Sequence, residues 1–240
     1  MRFRKKRRLL HLMGLLPLLI VMIQGIKIMN FENPLKRVER LKRVTNVPKT
    51  DQGERVPPGQ FLTERFPVLH YGSVPRYDTL DNWSFRVFGL VAAELRVSHA
   101  ELTSGKRFPI STMQADFHCV TTWSKYDCRW SGVAFTTLYE LVRPHGDARF
   151  VYFSGYDGYS TNVALEKCLD DDVLIATHFE GAPLSREHGG PARVIIPKLY
   201  AWKGAKFVRG LTFLAEDKLG FWEVRGYSNT ADPWTEDRYA

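Results

Sequence analysis

Ser185-Arg186-Glu187-His188-Gly189-Gly190-Pro191-Ala192-Arg193, running on through Val194-Ile195-Ile196-Pro197 to Trp202-Lys203-Gly204-Ala205-Lys206, is the stretch that decides how this chain is read. His188 followed by glycines lets the backbone come close to a ligand. Arg193 offers a planar fork suited to phosphate. It also opens a short apolar run, Arg193 to Pro197, that reads as a strand. Lys203 and Lys206 bracket a glycine and form a further cradle for an anion. Each feature has a plain alternative: a His-Gly pair is commonly just a turn, and two lysines are commonly a solvated face.

Upstream stands Asp116-Phe117-His118-Cys119-Val120-Thr121-Thr122-Trp123-Ser124. A lone cysteine is more often a small buried hydrophobe than a ligand. Adjacent residues on a strand point to opposite faces, so His118 is poorly placed to activate Cys119 as a nucleophile. A thiolate is a soft ligand, suited to metals that already carry sulfur. Alone it cannot hold a metal, so a metal role for Cys119 requires a cofactor that brings the remaining ligands.

The 240 residues suffice for one sizeable core. The formal net charge of +8 is unevenly spread. Arg2, Arg4, Lys5, Lys6, Arg7 and Arg8 open the chain, Lys36, Arg37, Arg40, Lys42 and Arg43 follow, and the remainder is close to neutral. A solvated basic arm or a membrane-proximal segment explains this better than a nucleic-acid groove, and no zinc-finger or RNA-binding signature supports the latter. Cys119, Cys128 and Cys168 are an odd set with no close pair, which argues against a disulfide framework or a structural zinc site and favours a reducing compartment.

Residues 1–28 combine a basic head with an apolar run from Leu9 to Ile28. Three readings fit them: a membrane anchor, an export signal in which Arg7-Arg8 precedes leucines, or sequence upstream of a true start at Met29. Localisation is accordingly open between cytoplasmic and membrane-tethered. Residues 29–55 are polar and proline-bearing and read as a linker or arm, leaving 56–240 as the folded domain. Trp83, Phe85 and Val87 alternate with polar neighbours and predict a strand ending at Gly89. Strands are also expected at 148–155, 193–197, 206–215 and 220–227, with a tight hairpin of 175–180 and 182–185 about Gly181. Helices are expected at 136–142, stopped before Pro144, and at 163–169, capped by Thr161 and Asn162. Strands outnumber helices without regular alternation, so the fold class is α+β with mixed sheets and a few short helices.

The order of an opening PPGQFLTERFPVLHYG, then FHCVTTWS, RWSGV and SREHGGPARVIIPKLYAWKGAK resembles the oxidoreductase molybdopterin-binding domain of the sulfite-oxidase superfamily. It is closest to the compact bacterial members, related to the periplasmic methionine-sulfoxide reductase catalytic subunit, and extends over about residues 56 to 240. The resemblance implies molybdenum held by the Cys119 thiolate and one pyranopterin dithiolene. It implies that His188 and Arg193 hold the pterin and its phosphate, with Gly204, Ala205 and Lys206 as the phosphate-binding backbone and lysine. His70 and Tyr71 fall where the first cofactor loop sits, Ser154 or Gly155 lies near another contact, and Tyr159 approaches the substrate pocket. The implied activity is oxygen-atom transfer to or from a small, sulfur-containing substrate, with electrons exchanged through another protein or an external carrier. No dimerisation or haem domain is discernible within the chain. Lys125, Arg129 and Arg186 give no clear match to the strongly basic pocket that sulfite needs. Two alternatives stand beside this reading: a non-catalytic pterin-binding module of the same fold, and a hydrolase using Cys119 with His118, His178 or His188.

Overall fold

The computed structural model describes residues 55–240, so the expectations for 1–28 and for almost all of the arm 29–55 lie outside the described residues. Among the described residues no helix is long and apolar enough to cross a membrane. Strands β1 (Phe61–Leu62), β2 (Ser84–Gly89) and β3 (Leu95–Ser98) lead into a short helix α1 (His99–Thr103). Strands β4 (Ser111–Cys119) and β5 (Trp123–Ala134) follow, then α2 (Phe135–Val142), β6 (Phe150–Gly155), β7 (Ser160–Ala164) and α3 (Leu165–Cys168). Strands β8 (Leu174–Phe179), β9 (Ala182–Pro183), β10 (Arg193–Ile195) and β11 (Val208–Leu214) complete the set.

Two mixed sheets result, as the α+β reading expects. One runs β1-β5-β8-β10, with β4 against β5 and β9 against β8; the other runs β3-β2-β11-β6-β7. The period-2 alternation of the strands divides side chains between two cores. On β8 and β10, Ile175 and Val194 face the large core shared with Phe85, Phe153 and Phe213, whereas Leu174, Ala176 and Ile195 face a second core. That second core holds Phe117, Cys119, Trp123 and Trp130, so the cysteine sits on the aromatic side of its sheet.

The predicted strands at 83–89, 148–155, 193–197 and 206–215 and the helix at 136–142 correspond to β2, β6, β10, β11 and α2. The β8–β9 hairpin turns through Glu180 and Gly181, both at positive φ, as a two-residue connection requires. Three expectations are corrected. Residues 160–164 are strand β7, so Thr161 and Asn162 cap nothing, and the helix is only Leu165–Cys168. The stretch 220–227 holds a 3-10 turn at Glu223–Arg225 instead of a strand. Lys203 is turned inward and is no part of an anion cradle.

The reason is a buried ion pair. Lys203 Nζ lies 2.7 Å from Glu223 Oε1, with both side chains about 1% exposed. Lys203 also donates to the carbonyl of Asn162 at 2.9 Å, while Thr161 Oγ1 and Trp202 Nε1 donate to Glu223 Oε1 at 2.7 and 3.2 Å. One network therefore fastens the Ala201–Lys203 turn and the Glu223–Arg225 turn to β7. Removing one partner leaves a buried charge unpaired, which typically costs about 3–5 kcal/mol, whereas replacing both by apolar groups is far milder. Urea unfolding should show Lys203→Met destabilised by that amount, with most of the loss recovered in Lys203→Met/Glu223→Leu.

Candidate functional site

The site is built where the β4–β5 hairpin, the loop after β1, the His188 turn and the stretch after β10 meet. They enclose a cavity of about 210 Å³ whose wall includes His70, Tyr71, Cys119, Tyr159, His188, Arg193, Gly204 and Lys206. Eight of the nine site residues expected from sequence thus share one cavity. Ala205 lies behind the wall, fully buried, its carbonyl accepting from Val194 N at 2.9 Å.

Cys119 ends β4 and is paired in register with Trp123. Its sulfur lies 3.2 Å from Thr121 Oγ1, and its carbonyl accepts from the buried Gln60 Nε2 at 3.2 Å. Burial pushes the thiol up from its ordinary value, against the opposing pull of Thr121, Lys206 and Arg193. His118 points to the opposite face, as strand alternation demands, and bonds Ser124 Oγ through Nδ1 at 2.9 Å. His178 bonds Thr177 and is absent from the cavity wall. Neither is placed to activate the thiol.

His188 belongs to a 3-10 turn, Arg186–His188, that ends in Gly189 at φ 113°. A Cβ at Gly189 would meet Arg193 Cβ at 3.0 Å and Lys206 Cγ at 3.2 Å, so glycine is required for backbone conformation and for close packing on both cations. The His188 ring is held at Nδ1 by Ser185 Oγ (2.9 Å) and at Nε2 by the carbonyl of Phe66 (3.0 Å), and it stacks on the Phe66 ring at 4.5 Å.

Arg193 is 2% exposed, lies over Phe117 and Trp130, and uses Nη1 on the His188 carbonyl at 3.0 Å; its Nε has no partner. Lys206 Nζ donates only to the Glu187 carbonyl, at 2.8 Å. Among the described residues no carboxylate lies within 4.0 Å of either cation. Burial pulls Arg193 down to about 10, and burial together with Arg193 pulls Lys206 down to about 7. Two like charges, one buried and one partly buried, with no carboxylate in direct contact are costly, and an anion entering the cavity relieves both.

His70, more exposed, bonds the Gly72 carbonyl, and Tyr71 packs on Phe221 with centroids 3.8 Å apart. Tyr159 gives its ring to the wall while its hydroxyl donates to the Trp202 carbonyl at 2.6 Å. Ser154, Gly155, Lys125, Arg129 and Arg186 are not in the wall. Residues that sequence reading did not single out are Phe66, Thr121, Asp157, Trp222 and Tyr227. Phe66 and Thr121 sit inside the motifs that carry the resemblance and so were within reach. Asp157, Trp222 and Tyr227 come from segments outside those motifs. Among the described residues no group of three or more His, Cys, Asp or Glu could hold a metal ion, so a metal on Cys119 must draw its other ligands from a non-protein group.

Residues 71–222 match the family model described as the oxidoreductase molybdopterin binding domain. The chain is 40% identical over 191 residues to the uncharacterized oxidoreductase YuiH of Bacillus subtilis, covering 80% of this chain and 95% of that protein. It is 29% identical over 173 residues to a putative protein-methionine-sulfoxide reductase subunit, YedZ1, of Azospira oryzae, covering 71% of this chain and 64% of that one. The NADPH nitrate reductase of Fusarium oxysporum is 25% identical over 259 residues, and only 28% of its length is covered. Among solved structures, the sulfane dehydrogenase SoxCD of Paracoccus pantotrophus superposes with a TM-score of 0.53 at 22% identity, over 59% of this chain and 40% of that one, which supports the fold alone.

The lowered Lys206 value has a measurable consequence. An anion in contact favours the charged ammonium, so its value is higher when bound than when free, and binding takes up a proton as pH rises past the free value of about 7. Sulfate does not itself titrate in this range. Its affinity for the cofactor-free protein should fall by up to about tenfold from about pH 6 to about pH 8. Calorimetry should show this slope disappear in Lys206→Met.

Proposed function

The chain belongs to the oxidoreductase molybdopterin-binding domain family, and from that premise we propose that it is a molybdenum-dependent enzyme moving an oxygen atom to or from a small, sulfur-containing substrate, with the metal held by Cys119 and one pyranopterin dithiolene. The observation that carries this reading is the convergence on one cavity of a lone buried thiol, the buried Arg193 and the partly buried Lys206, neither cation in contact with a carboxylate. A phosphorylated pterin dithiolene fits both halves of that arrangement. Its phosphate answers the unbalanced cations, and its two sulfurs answer the ligands that a single thiolate cannot supply.

When bound, the cofactor supplies an exchangeable oxygen atom and a two-electron couple. The chain's residues do the rest. Arg193 and Lys206 neutralise the phosphate, and Gly204 borders it, with Ala205 packed behind. His188, fixed at both ring nitrogens, presents a rigid face to the pterin, with His70 and Tyr71 also in the cavity wall. The Cys119 thiol, protonated when the cavity is empty of metal, releases its proton on ligation. Asp157, whose carboxyl burial pushes up from its ordinary value, stands at the cavity wall. Trp222 and Tyr227 keep bulk water from that wall.

The substrate follows from what remains. Pro67, Leu69, Val120, Trp222 and Tyr227 are apolar or aromatic, and the two cations of the wall are committed to the phosphate. A substrate uncharged at its reacting sulfur suits this lining better than sulfite. Electrons then pass to or from an external carrier, and residues 1–28, where they act as an anchor and not as an export signal or upstream sequence, would bring a membrane contact.

Protein made in a host that synthesises the cofactor should contain stoichiometric molybdenum by elemental analysis. Cys119→Ala should lose the metal, and Arg193→Ala should lower cofactor affinity roughly 10- to 100-fold, the worth of about one charged hydrogen bond. Folded protein without molybdenum from such a host would sink the reading.

A further inference from the structure

The hairpin loop after Cys119 carries a group that cofactor anchoring does not use. Register pairing of Cys119 with Trp123 leaves Val120, Thr121 and Thr122 as a three-residue loop. Thr122 N donates to the Cys119 carbonyl at 3.0 Å and Thr122 sits at φ 70°, the pattern of a type I turn closed by a left-handed residue. Positive φ is unfavourable for a β-branched residue and persists only where its surroundings enforce it. Here the enforcement is visible. Phe61 N, at the start of β1, donates to the Thr122 carbonyl at 2.9 Å, Gln60 Nε2 holds the Cys119 carbonyl, and Thr122 Oγ1 bonds the Thr121 carbonyl at 2.7 Å. The loop so fixed places Thr121 in the cavity wall with its Oγ1 3.2 Å from Cys119 Sγ.

Either atom can donate while the sulfur is a thiol, but against a thiolate only the hydroxyl can. We infer that Thr121 is a positioning residue that donates its hydroxyl hydrogen bond to the Cys119 thiolate and thereby raises the reduction potential of the metal bound there. The inference rests on the reading of Cys119 as the metal's ligand. When the metal gains one electron from a one-electron donor, part of the added charge resides on its sulfur ligand. A hydrogen bond to that sulfur is stronger in the reduced state than in the oxidised one, and so favours reduction. No bond forms or breaks, and the proton stays on Oγ1. The apolar surroundings of the sulfur, Phe117, Trp123 and Val120, keep the effect from being screened by water.

Redox titration of the holoenzyme, followed through the molybdenum centre's optical spectrum, tests this. At a fixed ambient potential Thr121→Val should shift the oxidised-to-reduced ratio about tenfold toward oxidised, which is ~59 mV for a one-electron step. Thr121→Ser, which keeps the hydroxyl, should restore the wild-type ratio, and molybdenum content should be the same in all three proteins. Thr121→Ala is the second removal variant, should Val disturb folding, and it should shift in the same direction. Molybdenum bound through Cys119 with an unchanged ratio in both removal variants would overturn the inference and leave the functional reading standing. A shift that Thr121→Ser fails to restore would mean packing and not the hydroxyl, and would overturn it as well. Molybdenum retained in Cys119→Ala would overturn the functional reading itself, and the inference with it.

Discussion

The cavity depends on one buried ion pair. Lys203 and Glu223 are brought together from two turns that would otherwise be free to splay, and both are fastened to β7 through Asn162 and Thr161. Buried ion pairs stabilise a fold weakly compared with well-packed apolar groups, but they are specific, because each charge tolerates few alternative placements. That specificity positions Trp202, Gly204 and Lys206 on one flank and Trp222 and Tyr227 on another. The adjacent Tyr159 hydroxyl adds a bond to the Trp202 carbonyl and joins the β6–β7 turn to the same frame. The far wall of the cavity is thus set by electrostatics between turns, and the near wall by strand pairing at Cys119.

Within that frame the two halves of the site are incomplete in opposite senses. Arg193 and Lys206 have too much positive charge for their burial, and each is pulled below its ordinary value in consequence. Cys119 has too little support for a negative charge, and burial holds it as a thiol. A single ligand that brings an anion to one end and a metal to the other corrects both at once. On the proposed function, cofactor and metal together would be favoured over either alone, since binding one half would leave the other unrelieved.

Much of this was legible in the sequence, for identifiable reasons. Strands β2 and β6 alternate cleanly, and Cys119, His188, Arg193 and Lys206 stand in short motifs whose order carries the family. Other features were hidden by the physics that makes them useful. The aromatic run Phe221-Trp222 to Tyr227 mimics a strand, yet it lines a cavity around a turn that exists to deliver Glu223. Lys203 looks like a surface cation until its partner is known, and that partner is 20 residues further along. Thr161 and Asn162 imitate helix caps because the same side-chain chemistry that caps a helix also serves a buried network. β4 is obscured by a register shift between Ala115 and Phe117. His188 owes its orientation to Phe66, 122 residues earlier, a relation that no local pattern encodes.

The same geometry separates what is fixed from what is adjustable. Neutralising a phosphate requires charge within a confined space, and Arg193 and Lys206 allow little latitude because the packing of Gly189 against both of their side chains locks their spacing. The sulfur end is different. Its immediate polar neighbours are the hydroxyl and backbone N–H of Thr121 on a three-residue loop, and a change of that side chain alters the environment of the sulfur without moving a strand. The cysteine is held from behind by Gln60 and by its place at the end of β4, so the loop in front of it is free to vary in chemistry. On the proposed function, affinity for the cofactor and the redox character of the metal would be under the control of different residues. A scaffold arranged in this way is able to keep the cofactor end constant while the loop and the apolar rim adapt the site to another substrate or another carrier.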